Sequence, residues 1–191
     1  WSISCLGLMS DASYSPLVAS LWSKVISFDI GKFNQSDLSM IRSVYTCSVI
    51  EGEGLVDLRF DDVEGKLKPA IDGLVFNTRD SNSCRDISRL LEEMGVEHVK
   101  EASPFVGRSA EGGVDSDQFK DDFMSIDMAI ISDRIAIEFD GPYHYIGPPG
   151  KSIINGNSKM KERLLEKLGR KVVHIPWFEL KNLHRGNSSK S

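Results

Sequence analysis

The chain has no uninterrupted apolar run approaching the roughly eighteen residues of a membrane-spanning helix. It also has little cysteine. Cys5, Cys47 and Cys84 are far apart and form no C-x-x-C pair, which argues against a disulfide framework and against a zinc ribbon. Buried thiols in a reducing compartment are the expectation. The sequence opens on Trp1-Ser-Ile-Ser-Cys5 without an initiating methionine, a basic leader or a cleavable signal pattern. A soluble piece of a longer protein is expected, with any targeting segment outside it. Positive charge is scarce too, with a formal net charge of −5. Against these absences stand 191 residues, 40% hydrophobic and 27% charged, a balance suited to one or two globular domains with real cores.

The negative charge is unevenly spread. From Lys151 to Ser191 there are ten Lys/Arg and three Glu, a balance of +7, so the rest of the chain carries −12. This asymmetry suggests a basic surface for phosphates at the C-terminal end; a solvated helix face followed by a basic tail is the plainer alternative.

Leu17, Leu21, Trp22, Val25 and Ile26 recur at helical spacing behind Ser13 and Ser15. Leu38, Ile41, Val44, Tyr45 and Val49 do so behind Asn34 and Ser36. Two amphipathic helices joined by a short turn at Phe33 are expected within residues 1–50, either as the end of an α-solenoid or as a plain helical subdomain. Residues 51–82 are broken by glycine and proline and read as linker. A new α/β unit is expected over residues 83–185, with a tail at 186–191. Ile87, Leu90, Leu91 and Met94 mark a helix stopped by Gly95, residues 96–105 hold a strand, and residues 107–122 form an acidic, exposed loop.

Met124, Ile126, Met128 and Ile130 alternate with small or polar residues, and so do Ile135, Ile137 and Phe139 beyond Ser132 and Asp133. This predicts a β-hairpin. With Ser132 and Asp133 as a two-residue turn, Asp127 falls opposite Glu138, and Asp140 shares their face. Three carboxylates on one face repel one another and call for a metal ion, a lysine or an arginine. On the next helix, Met160, Leu164, Leu165 and Leu168 define an apolar face, and Lys161 projects from its middle, aimed at the sheet or snorkelling to its edge. Lys159, Arg163, Lys167 and Arg170 form a basic stripe on the other side, suited to a phosphate backbone or simply solvated. After Gly169 comes a short apolar strand over residues 171–177. The expected order is helix, strand, hairpin, helix, strand. Tyr143 and Tyr145 are candidates for base stacking or for packing, and Trp177 for burial.

The run from Ile135 to His144, the helix from Lys161 to Gly169 and the strand from Val172 to Phe178 together resemble the RAP domain over about residues 125–183. The resemblance implies a C-terminal nuclease-like α/β fold, similar to the PD-(D/E)xK endonucleases of the very-short-patch-repair type, preceded by a helical repeat-like segment. It further implies RNA binding in mitochondria or plastids, with RNA as partner, as single strands or ribosomal RNA fragments, and a place in ribosome assembly or structure beside ribonucleoprotein partners. In an RNA-binding reading, His144, Lys159, Lys161, Arg163 and Tyr143 contact the backbone or a terminal phosphate, and no cofactor is implied. In an endoribonuclease reading, Asp127, Glu138 and Asp140 hold Mg²⁺ and Lys161 completes the catalytic set. The sequence departs from the nuclease pattern two positions after Glu138, where Asp140 stands in place of lysine, so the lysine comes from the helix.

Overall fold

The computed structural model describes residues 12–51, 81–106, 124–147 and 152–180. The chain divides into two compact units, residues 1–76 and 77–191. No helix among the described residues is long and apolar enough to cross a membrane.

The first unit contains the expected helix pair. Helix α1 runs over Ser15–Ser27 with proline in its first turn, where a missing N–H costs nothing. Helix α2 runs over Gln35–Glu51. Asn34 and Asp37 start α2 by exchanging side-chain and backbone hydrogen bonds, both 3.0 Å, in a reciprocal cap. Phe28 and Phe33 meet edge to face, 6.2 Å between centroids, and staple the connection. Val18 and Trp22 are buried, whereas Leu17 and Leu21 are nearly half exposed, so the apolar stripe of α1 is narrower than the spacing suggests. In α2, the polar Ser43 and Ser48 are buried beside Ile41, Tyr45 and Cys47. Their hydroxyls bond the carbonyls of Ser39 and Val44, one turn back, which makes that burial tolerable.

In the second unit, helix α3 spans Asn82–Glu93, capped by the Ser81 hydroxyl on the Cys84 N–H and stopped at Gly95 in the left-handed conformation, φ +70°. Its inward face is only partly the expected one: Ile87 and Leu91 pack against the sheet residues. Cys84, Ile87 and Ser88 are buried, while Leu90 and Met94 are 41% and 74% exposed. Strand β1 is shorter than expected, Val99–Ala102. It pairs with β2, Ile126–Ile130, which pairs with β3, Ile135–Asp140. The hairpin has the anticipated register, Ala129 opposite Ala136 and Met128 opposite Ile137, closed by Arg134 N–H donating to the Ile131 carbonyl at 3.2 Å. Beyond β3 lie a short 3₁₀ turn, Pro142–His144, and a two-stranded ribbon of β4, Tyr145–Ile146, and β5, Ile153–Ile154. Helix α4, Gly156–Lys167, then returns the chain to β6, Lys171–Pro176, which lies parallel to β3. The four-stranded sheet has the order β1-β2-β3-β6.

Period-2 alternation divides the core between the two faces. Ala129, Ala136 and Val172 meet Leu165 of α4 on one side; Met128, Ile137 and Ile175 meet Ile87 of α3 and Leu180 on the other. The facing alanines leave the room in which Leu165 is fully buried, and they set α4 close over the strand ends that carry the polar residues. Gly169 ends α4 at φ +77°, and a Cβ there would lie 3.1 Å from the Arg134 guanidinium, which bonds the Leu168 carbonyl at 3.0 Å. Glycine is required on both counts.

Arg170 does not join the basic stripe. It is 5% exposed, and its guanidinium donates to the carbonyls of Pro104, at 2.9 Å, and Val106. It ties the chain leaving β1 to the end of α4. The expected linker beyond Glu51, the acidic loop and the tail lie outside the described residues.

Candidate functional site

The polar residues singled out by alternation gather where the parallel strands β3 and β6 end, beneath the first turns of α4. The shared register sets Glu138 beside His174 and Asp140 beside Pro176. Continued one step, the hairpin register sets Asp127 on the far side of Glu138. One row of the sheet therefore reads Asp127, Glu138, His174, with Asp140 on the same face.

Each carboxylate is taken by a different partner. Asp127 acts on the backbone: its Oδ2 accepts the Phe139 N–H at 2.7 Å, where the β2–β3 ladder has just ended. A side chain replaces the missing strand partner. Glu138 is 6% exposed, and its Oε2 accepts from Lys161 Nζ at 2.5 Å. The same ammonium donates to the Ser125 carbonyl at 2.8 Å. The other oxygen, Oε1, is buried without a hydrogen-bond partner. Burial pushes the Glu138 carboxyl up from 4.5 to about 7, with Lys161 acting against it and Asp127 adding to it. Lys161 is thus the compensating cation, bound to one of the three carboxylates.

Asp140, 1% exposed, lies between two histidines. Its Oδ2 is 2.7 Å from His174 Nδ1 and its Oδ1 is 3.2 Å from His144 Nδ1. Burial alone would raise this carboxyl, but the hydrogen bonds from His144 and His174 outweigh it and hold it at about 2. The bond to Asp140 correspondingly raises His174 above 6.5, against the opposing effect of burial. Ser158 closes the group, its Oγ 3.0 Å from His144 Nδ1. Asn155 caps α4 on the Ser158 N–H at 2.9 Å and donates to the Tyr143 carbonyl at 2.9 Å. His174 was not foreseen as a site residue; a lone histidine in the middle of the apolar run Val172-Val-His-Ile175 was the available signal.

These shifts define a pH window. The lowered Asp140 stabilises the fold above about pH 4, and that contribution is lost as pH falls toward 2; the raised His174 stabilises it below about pH 6.5, and that contribution is lost as pH rises through its folded value. The stability difference between the wild type and Asp140→Asn is therefore expected to peak near pH 5 and shrink on both sides, as measured by urea unfolding across the range. A difference independent of pH would contradict the pairing.

Of the remaining candidates, Tyr143 and Lys159 face outward and the others are partly covered. Tyr143 is 93% exposed on the 3₁₀ turn, and the His144 side chain is 46% exposed with its described contacts all on Nδ1, so that Nε2 lies on the far side of the ring. Lys159 is exposed in the first turns of α4, and Arg163 is half-buried one turn further on. Tyr145 packs on Phe178 at 5.9 Å and Phe178 on Trp177 at 6.0 Å, with Trp177 half-buried rather than enclosed.

A Mg²⁺ ion held by Asp127, Glu138 and Asp140 does not fit this arrangement. Among the described residues, no three His, Cys, Asp or Glu side chains are grouped to hold a metal ion. Each carboxylate is instead turned to a different partner, Asp127 to a backbone amide, Glu138 to a lysine and Asp140 to two histidines, so the three do not converge on one point. No reaction step is assigned to a metal here.

The family model of the RAP domain matches residues 137–191. The match begins within β3 and covers Glu138, Asp140, Tyr143, His144, α4 and His174; Asp127 and the rest of the hairpin lie before it.

Proposed function

Since the chain carries a RAP domain, generally an RNA-binding domain, we propose that it binds single-stranded RNA at the end of β3 and β6, gripping the backbone or a terminal phosphate. The observation that carries this reading is the pairing of Tyr143, an almost fully exposed aromatic ring, with the neighbouring His144, whose outer nitrogen is turned away from its partners. Unpaired RNA is recognised by stacking splayed bases on aromatic rings while basic groups follow the phosphates. Here the ring, the imidazole and the exposed Lys159 lie on or beside one helix start, where backbone N–H groups favour an anion. Arg163 extends the basic side of α4. Lys161 serves the site from beneath, by holding Glu138.

Tyr143→Ala is expected to weaken binding of an unstructured RNA by about 5- to 150-fold, the worth of one stacked base, with Tyr143→Phe near wild type. His144→Ala and Lys159→Ala should lower affinity and flatten its salt dependence. Fluorescence anisotropy on the full chain measures both, and unchanged affinity in Tyr143→Ala and His144→Ala together would overturn the site.

The setting follows from the resemblance. We read the protein as working in organellar RNA metabolism, mitochondrial or plastid, and as a component or assembly factor of the mitochondrial ribosome. The helix–strand–hairpin–helix–strand order of the second unit supports reading it as a nuclease-like fold, and the helix pair of the first unit supports a repeat-like segment before it. The internal pairing of the carboxylates favours an RNA clamp over a metal-dependent nuclease.

A further inference from the structure

We propose that Glu162 forms a ribose 2′-hydroxyl subsite beside the end of β3 and β6, and that through it the domain distinguishes RNA from DNA. The inference rests on the RNA-binding reading and adds a specificity to it.

The starting point is a carboxylate where a phosphate-binding surface should have none. Glu162 follows Ser158 by four residues on α4, so the two share a helix face about 6 Å apart along the axis. Ser158 bonds Nδ1 of His144, the imidazole proposed above to meet the phosphate through its outer nitrogen. Glu162 is therefore one turn from the residue that holds this imidazole, and its neighbour His174 shares Asp140 with it, so the carboxylate belongs to the same group of side chains as the phosphate contact.

Its chemistry fits a hydroxyl donor. The Glu162 side chain is 36% exposed, and its described contact is with His174 Nε2 at 3.7 Å, beyond hydrogen-bond range. His174 Nε2 is itself buried without a hydrogen-bond partner, while Nδ1 of the same ring is held by Asp140. The imidazole holds the Glu162 carboxylate at the rim by charge and leaves its oxygens able to accept. A carboxylate accepts and never donates, so a phosphate oxygen is repelled there, while a ligand offering an O–H is bound. In RNA the group next to the phosphate that meets this requirement is the 2′-hydroxyl, which DNA lacks. A deoxyribose strand would meet the repulsion with no compensating hydrogen bond.

The experiment compares a short unpaired uridine homopolymer with its 2′-deoxy counterpart, by competition anisotropy on the full chain. The wild type is expected to favour the ribose strand by about tenfold, the worth of one hydrogen bond to a charged group. Glu162→Ala should bring the two strands to within about twofold, mainly by tightening the deoxy strand. Glu162→Gln, which retains an acceptor oxygen, should tighten both strands and keep most of the preference. Equal binding of both strands by the wild type overturns the inference, and so does a Glu162→Ala variant that keeps the tenfold preference. The RNA-binding reading fails separately, if the ribose strand binds Tyr143→Ala and His144→Ala as well as it binds the wild type.

Discussion

Lys161→Met is expected to cost about 3–5 kcal/mol of stability at pH 8, the penalty for leaving a buried carboxylate without its cation. Glu138 is 6% exposed, one of its oxygens has no hydrogen-bond partner, and the other accepts from Lys161. Without the ammonium, burial acts unopposed except by His174, and the Glu138 carboxyl rises further above its present value of about 7. The sign of the pH dependence follows. A carboxyl raised in the folded state favours folding where it is protonated in both states, below about pH 4.5, and disfavours it increasingly as the unfolded chain ionises above that. The deficit of Lys161→Met relative to the wild type should therefore be nearly flat from pH 4.5 to pH 7, where Glu138 is protonated in both folded proteins, and grow above about pH 7, where the wild-type carboxyl ionises beside Lys161 and the variant's does not. Urea unfolding at several pH values measures it. Lys161→Met with Glu138→Gln should recover most of the loss, because removing both charges removes the uncompensated one. A loss under about 1 kcal/mol at pH 8 would mean that the pair behaves as an exposed ion pair.

Arg170→Met is expected to lower stability by about 3 kcal/mol while leaving the RNA affinity of the folded protein unchanged. The guanidinium is buried and donates to the carbonyls of Pro104 and Val106, more than sixty residues earlier in the chain. Methionine fills much of the volume but donates nothing, so buried carbonyls lose their partner. Lys159→Ala, on the exposed side of α4, should show the opposite profile, with stability near wild type and RNA binding weakened and less salt-dependent. Thermal unfolding and anisotropy on the same samples distinguish the two. Weakened RNA binding by folded Arg170→Met would return Arg170 to the basic surface.

Much of the second unit was legible because its signals are local and periodic. Alternation within Ile126–Ile130 and Ile135–Asp140, with Ser132 and Asp133 as the turn, was enough to give the hairpin register, since a one-residue slip would put Asp127 and Ala129 on the opposite face from Ala136 and Glu138. The apolar positions of α4 are buried as their spacing implied. Helix α3 was harder. Its apolar residues Leu90 and Met94 fit a helical stripe yet face outward, because Ile87 and Leu91 are the ones packed with the sheet, and periodicity does not identify the neighbour. Arg170 misled for a related reason: at the end of a helix, charge implies solvent unless distant carbonyls approach.

By itself, the sequence determined which residues share a face: the three carboxylates on one side of β2 and β3, the apolar stripe of α4, and a lysine set within that stripe. Those assignments need only the 2.0 and 3.6 periods of strand and helix. Tertiary structure decided who pairs with whom. Lys161 meets Glu138 across 23 residues of chain, His174 meets Asp140 across 34, and Arg170 meets Pro104 across 66. Such choices depend on how closely α4 approaches the sheet and on the offset between β3 and β6, neither of which is encoded in local spacing. In this protein that difference separates three carboxylates converging on one cation from three that each turn to a different partner.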